Sequence, residues 1–155
     1  MKKVKQTILA AMLLCPFLFA GCNDGIQVQQ SYDFGISTWH LPQEARPGEA
    51  VEIRFTLRRQ GDFKGAAYRI GYIQITGQGE VFDNDGQHLV NRETMPLEDV
   101  ADLDTRDPCG QLFTLYYRST GPDKSEVRFC VVDNFGIQKA VSYTHLTLPT
   151  KRIVE

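Results

Sequence analysis

The clearest chemistry in this chain sits at Cys22, which follows Phe19-Ala20-Gly21. Small residues at Ala20 and Gly21 let an extended backbone enter a peptidase site. The cysteine thiol is then the nucleophile that accepts a diacylglyceryl group. The pattern resembles a bacterial lipobox, with Phe19 where leucine is more usual. Two or three acyl chains form a stable anchor where one is marginal, because each buried CH₂ contributes about 0.8 kcal/mol. Cys22 is therefore expected to be lipidated and to open the mature protein. The competing reading is an ordinary signal peptide whose end carries a cysteine.

The other reactive residue types do not assemble into a site. The chain has four cysteines, Cys15, Cys22, Cys109 and Cys130. Cys15 leaves with the signal and Cys22 is lipidated, so only Cys109 and Cys130 remain in an oxidising compartment. If residues 111–118 and 125–133 form a hairpin, Cys130 lies near Phe113, and Cys109 is roughly 13 Å further along. A disulfide needs Cα atoms within about 7 Å. A Cys109–Cys130 bridge is therefore not expected unless the chain bends at Pro108, and Cys130 reads as a small buried hydrophobe.

Asp83-Asn84-Asp85-Gly86 looks like the start of a calcium loop, but the next acid after Asp85 is Glu93, and the required ligand spacing is not met. It reads instead as a solvated turn. His40, His88 and His145 have no partner at metal-ligand spacing and read as surface or edge residues. No nucleophile elbow, phosphate loop or paired-cysteine motif is present. No catalytic residue, metal or cofactor is expected. Aromatic residues are better represented. Tyr116 and Tyr117 are adjacent, so one ring must leave the sheet face that the other occupies. An outward tyrosine beside Arg69 or Arg118 would suit a protein or sugar contact; ordinary sheet packing is the alternative.

The elements that would hold these residues begin with export. Lys2, Lys3 and Lys5 precede an apolar run from Ile8 to Ala20, interrupted by Pro16. That is a charged region followed by an apolar core of signal-peptide length, short of the roughly 20 residues of a membrane-spanning helix. Residues 1–21 are the expected signal peptide and residues 22–25 a tether. Cleavage removes three lysines and no acids from a chain of net charge -2. The mature protein is then mildly acidic with no basic stripe, and direct nucleic acid binding is not expected.

Residues 26–140 read as one β domain. Val51, Ile53, Phe55 and Leu57 alternate with Glu52, Arg54, Thr56 and Arg58, which is the pattern of a half-buried strand. Residues 67–76 form a second strong strand, with Gly71 marking a bulge or the close approach of another backbone. Further strands are expected at 26–32, 35–40, 112–118 and 125–133, and from about Gln138. About seven strands with frequent turn signals point to an antiparallel sandwich of immunoglobulin-like type, with a small open barrel as the alternative. The antibody-type cysteine spacing is missing, and the one tryptophan, Trp39, precedes the strongest strand. Residues 83–108 carry many acids and few strand formers. They read as a long, exposed acidic connection crossing between sheets, with a short helical turn over 96–100.

A set of segments in fixed order resembles a known family. These are the lipobox, Pro47-Gly48-Glu49-Ala50-Val51-Glu52-Ile53-Arg54, Gly61-Asp62-Phe63-Lys64-Gly65-Ala66, Tyr68-Arg69-Ile70-Gly71-Tyr72, residues 108–117, and Val132-Asp133-Asn134-Phe135-Gly136. Together they look like the TraQ-type conjugal transfer proteins of Bacteroides-like conjugative transposons, over roughly residues 1–140. The resemblance implies a small lipoprotein with an immunoglobulin-like sandwich, encoded among transfer genes. It carries over no catalytic or binding residue. The acidic 83–108 segment, Cys109 and Cys130 depart from the family pattern. Residues 141–155, from Val141-Ser142-Tyr143-Thr144-His145-Leu146, resemble the translation of a sequencing-library adapter and are expected to be non-native. By its β-branched content, that run can still imitate a strand.

The expected function is that of a non-catalytic accessory lipoprotein of a conjugative DNA-transfer apparatus. Its partners would be envelope proteins of that apparatus and, through the lipid anchor, the inner or outer membrane, facing periplasm or exterior. The alternative is an envelope-anchored module that binds glycans or another ligand, unrelated to transfer. Flanking genes distinguish the two.

Overall fold

A computed structural model of the chain describes residues 31–147 apart from His40, Gln43 and Pro47, with the backbone alone at 145–147. Cys15, Cys22, His40, the expected signal and tether, and the stretch from Leu148 onward lie outside the described residues. So does nearly all of the strand expected at 26–32.

Among the described residues ten strands form: β1 (Phe34–Thr38), β2 (Glu44–Ala45), β3 (Ala50–Arg59), β4 (Tyr68–Thr76), β5 (Gly79–Phe82), β6 (His88–Leu89), β7 (Thr94–Pro96), β8 (Gly110–Ser119), β9 (Ser125–Asp133) and β10 (Gln138–Thr147). They make two five-stranded sheets, in the orders β1-β3-β8-β5-β6 and β2-β10-β9-β4-β7. All pairings are antiparallel except the short parallel contact of β2 with β10. The cores of the sheets, β1-β3-β8-β5 and β10-β9-β4, follow the immunoglobulin arrangement of two facing sheets. The architecture is the expected immunoglobulin-like sandwich. Four strands go beyond expectation: β5, and the edge strands β2, β6 and β7, whose two or three residues are too short to show any alternation.

Period-two burial explains the core. Val51, Ile53, Phe55 and Leu57 of β3 face inward with Phe113, Leu115 and Tyr117 of β8. They meet Val127, Phe129 and Val131 of β9 and Ile70 and Tyr72 of β4. Phe55 stacks on Phe113 at 4.9 Å and meets the edge of Phe129 at 5.0 Å, which locks the two sheets together at the centre. Gly71 is a point of close approach, as its place within the strand suggests. A Cβ there would lie 2.3 Å from the Glu93 carbonyl oxygen. The bulge in β4 falls instead between Gln74 and Thr76.

Two expectations are corrected. Strands β8 and β9 are not a hairpin: β8 belongs to the first sheet and β9 to the second, so the turn at 120–124 is a corner of the sandwich. Residues 83–108 do cross between sheets, but they are not an open acidic connection. They supply β6, β7 and a 3₁₀ turn at Leu97–Asp99, and Asp104 bridges to Leu112. Several of their acids accept backbone amides. Asp83, only 2% exposed, takes the amides of Asp85 and Gln87 on one oxygen and that of Ala101 on the other. Asp102 takes the amide of Thr114, and Asp107 that of Cys109. The turn expected at residues 83–86 is present with residues 84–86 exposed, but Asp83 itself is buried and anchors it.

One turn design is used twice. Asp83-Asn84-Asp85-Gly86-Gln87 closes β5–β6, and Asp133-Asn134-Phe135-Gly136-Ile137 closes β9–β10. In each, the aspartate amide donates to the carbonyl four residues on, the glycine amide returns to the aspartate carbonyl, and the glycine has positive φ. In each, one carboxylate oxygen accepts the third and fifth amides. Aspartate supplies the acceptor and glycine the left-handed conformation.

Candidate functional site

The outer face of the first sheet carries the exposed aromatic and charged side chains that the core does not use. In β3 and β8 the even-numbered positions point outward, because the odd-numbered ones fill the core. Register sets Tyr116 beside both Glu52 and Phe82, Arg118 beside Glu80, Thr114 beside Arg54, and Leu112 beside Thr56.

At one end of this face, Phe82 and Tyr116 stack with ring centroids 5.6 Å apart. The Arg118 guanidinium lies 4.9 Å over the Phe82 ring and 2.9 Å from Glu80, whose other oxygen is 3.5 Å from His88 Nδ1. The Tyr116 hydroxyl donates to Asn84 Oδ1 at 3.3 Å. This cluster is internally paired.

Near the other end is Trp39, just past β1. Its amide donates to the Arg54 carbonyl and its indole Nε1–H donates to Thr56 Oγ1 at 3.1 Å. The ring is fixed, yet the residue is 59% exposed, and Leu112 on the same face is 44% exposed. Three hollows of about 460, 270 and 300 Å³ border Trp39. Charged residues ring them: Glu49, Glu52, Arg54, Arg58, Asp102 and Asp107. A fixed indole thus stands beside an aliphatic side chain, with a charged rim around both.

The residues singled out by sequence fall elsewhere or apart. Tyr117 is inward and enclosed while Tyr116 is outward beside Arg118, as their adjacency requires. Arg69 instead hydrogen-bonds Thr94 across β4–β7. His88 is an exposed edge residue, and the His145 backbone pairs with Ser125. Cys109 precedes β8 in the first sheet, whereas Cys130 lies on β9 in the second, opposite Gly71 and Ala140; both thiols are free. The hairpin geometry that argued against their bridging does not exist, and the separation arises from their different sheets. The Cys130 thiol contacts the Gly71 carbonyl, and burial pushes its pKa up. Tyr143, within the stretch expected to be non-native, is buried. Its hydroxyl donates to the Pro42 carbonyl at 2.7 Å, and burial, then Tyr117, pushes its pKa up to about 12. Among the described residues, no group of three histidine, cysteine or acidic side chains is placed to hold a metal. No helix there is long and apolar enough to cross a membrane.

Sequence reasoning did not single out Trp39 and Leu112 as a pair. A usable signal was present for Leu112, which is out of phase with Phe113, Leu115 and Tyr117. No local signal places Trp39 over Thr56, because that depends on the β1–β3 register.

Comparisons with known proteins agree with this architecture. The family model described as TraQ conjugal transfer protein matches residues 5–147. A conjugative transposon lipoprotein from Bacteroides eggerthii, seen in a crystal structure, is 28% identical with a TM-score of 0.61, over 74% of this chain and 98% of that one. A lipoprotein from Bacteroides thetaiotaomicron, solved in solution, is 31% identical with a TM-score of 0.59, over 83% and 91%. A conjugate transposon protein from Bacteroides vulgatus, at 24% identity and a TM-score of 0.59 over 84% and 95%, shares the fold. None of the curated proteins matches the chain. A family match spanning nearly all of the sandwich, joined to the same fold in proteins of conjugative transposons, means that this chain belongs to the TraQ conjugal transfer protein family.

Proposed function

We propose that the chain is a non-catalytic accessory lipoprotein of a conjugative transposon's DNA-transfer apparatus, acting through protein–protein contacts in the cell envelope. The observation that carries the contact role is Trp39: a large ring, fixed by Thr56 and left mostly exposed beside Leu112. Fixing the ring in advance lowers the ordering cost of binding. Family membership supports the transfer context, and two similar proteins described as lipoproteins support the anchor at Cys22.

The test is a pull-down of the tagged, lipidated chain from cells with transfer genes induced. Transfer-apparatus proteins should be recovered with the native chain and lost with Trp39→Ala. Recovery that is equal in both sinks the Trp39 assignment. In the same cells Cys22→Ser should leave the membrane fraction and lose labelling by a lipid precursor. A variant still bound and labelled contradicts the anchor.

A second reading, an envelope-anchored glycan-binding module, is favoured by the Phe82–Tyr116 ring pair beside Arg118 and Glu80. Binding to a panel of surface polysaccharides that Tyr116→Ala abolishes would support it over the first.

A further inference from the structure

We propose that the end of the sandwich carrying the β9–β10 turn faces the lipid surface in which the chain is anchored, with Phe135 and Ile137 entering its headgroup region. The proposal rests on the reading of Cys22 as the lipid-bearing residue.

The chain enters the sandwich at this end. Asp33 pairs with Lys139, at 3.0 Å, one residue into β10. The Gln60 amide donates to the Asp33 carbonyl, and the Tyr32 ring stacks on Phe63. Phe34 meets the edge of Tyr68 at 5.1 Å, joining the same end of both sheets. Ten peptide links separate Cys22 from Tyr32, a reach of at most about 36 Å. The anchor therefore keeps this end within about 36 Å of the bilayer, near enough for the tip to reach it.

Phe135 and Ile137 sit on the turn beside that entry point and are 40% and 42% exposed. The turn itself does not need them. The turn at residues 83–87 repeats the same hydrogen bonds with Asp85 and Gln87 in the corresponding places. That copy lies halfway along β8, beyond Phe82, which pairs with Tyr116. Identical backbone demands are thus met with polar side chains on a turn that stops short of the tethered end, and with apolar ones beside the entry point. The Asp133 carboxylate fixes the Phe135 and Ile137 amides, so the tip is presented with little left to order. Charges here are mixed, Asp33 pairing with Lys139 and Asp62 with Arg59, so apolar contact rather than electrostatic attraction brings the tip to the surface. A pair of interfacial side chains supplements acyl chains as a weaker second signal.

The test uses the full lipidated chain in vesicles of phosphatidylethanolamine and phosphatidylglycerol with brominated acyl chains. Trp39 is the only tryptophan. In a Trp39→Phe background, Phe135→Trp or Ile137→Trp places a single indole at the tip, and Val90→Trp places one on the exposed loop toward the opposite end. Bromine quenching at position 135 or 137 should be about twofold or more that at 90, with a blue-shifted emission, as expected for burial in the headgroup region. Raising the salt concentration should leave it unchanged. Equal quenching at all three positions on an acylated, floating chain overturns the orientation alone. A tip shielded from aqueous quencher but untouched by bromine is covered by protein, a partner or a second copy, and also overturns it. A chain that is neither acylated nor membrane-bound overturns both this proposal and the anchor on which it rests.

Discussion

Ile53 is enclosed on every side, while Glu52, one position earlier, lies in solvent and pairs with Arg54. Ile53→Asp would bury a charge without a partner and should cost several kcal/mol, probing whether the fold survives at all. Glu52→Ala removes only an exposed ion pair and should cost about 0.5 kcal/mol or less. Melting temperatures in the reverse order would mean that β3 is out of phase by one residue. This strand was legible because its two faces differ in every second side chain. Asp83 was not. Its sequence neighbourhood shows charge, and charge suggests solvent, but its two oxygens serve three amides from two different segments. One of those amides, Ala101, comes close only after the connection has folded back.

At the scale of elements, the acids of residues 83–108 act as local fasteners more than as a charged surface. Asp83→Ala should cost about 2 kcal/mol or more, because it strands buried amides, whereas Asp99→Ala on the exposed 3₁₀ turn should cost about 0.5 kcal/mol or less. Chemical denaturation midpoints check this, and equal losses would contradict it. The mistaken β8–β9 hairpin has a related cause. A short turn rich in glycine and proline suits both a hairpin and a corner between sheets, and only the packing of both inner faces decides. Strand β10 raises a separate question. Its first part pairs in register with β9, and Tyr143 fills space beside Tyr117. We propose nonetheless that residues from about Val141 derive from an adapter, since main-chain pairing does not read sequence. Cloning the gene from source DNA should yield a different ending. A reading frame that encodes Ser142-Tyr143-Thr144-His145-Leu146 overturns the proposal.

The molecule as a whole presents two different surfaces to its surroundings. The end bearing Phe135 and Ile137 lies where the tether enters, and the outer face of the first sheet bears Trp39 and Leu112 along its flank. A protein held this way can offer that flank to a neighbour in the envelope while its end rests on the lipid. The sandwich was legible from strand alternation and the family from ordered segments. The proposed contact face was not, because it is defined by which residues the core leaves over. The most direct measurement of the central claim is conjugative transfer frequency in cells carrying Trp39→Ala with Leu112→Ser, expressed at native abundance and with native melting temperature. Loss of an exposed aromatic that a partner buries as a hot spot costs about 2 kcal/mol or more of binding, so transfer should fall about tenfold or more. Transfer at the native rate, with the variant folded and membrane-bound, would contradict the account.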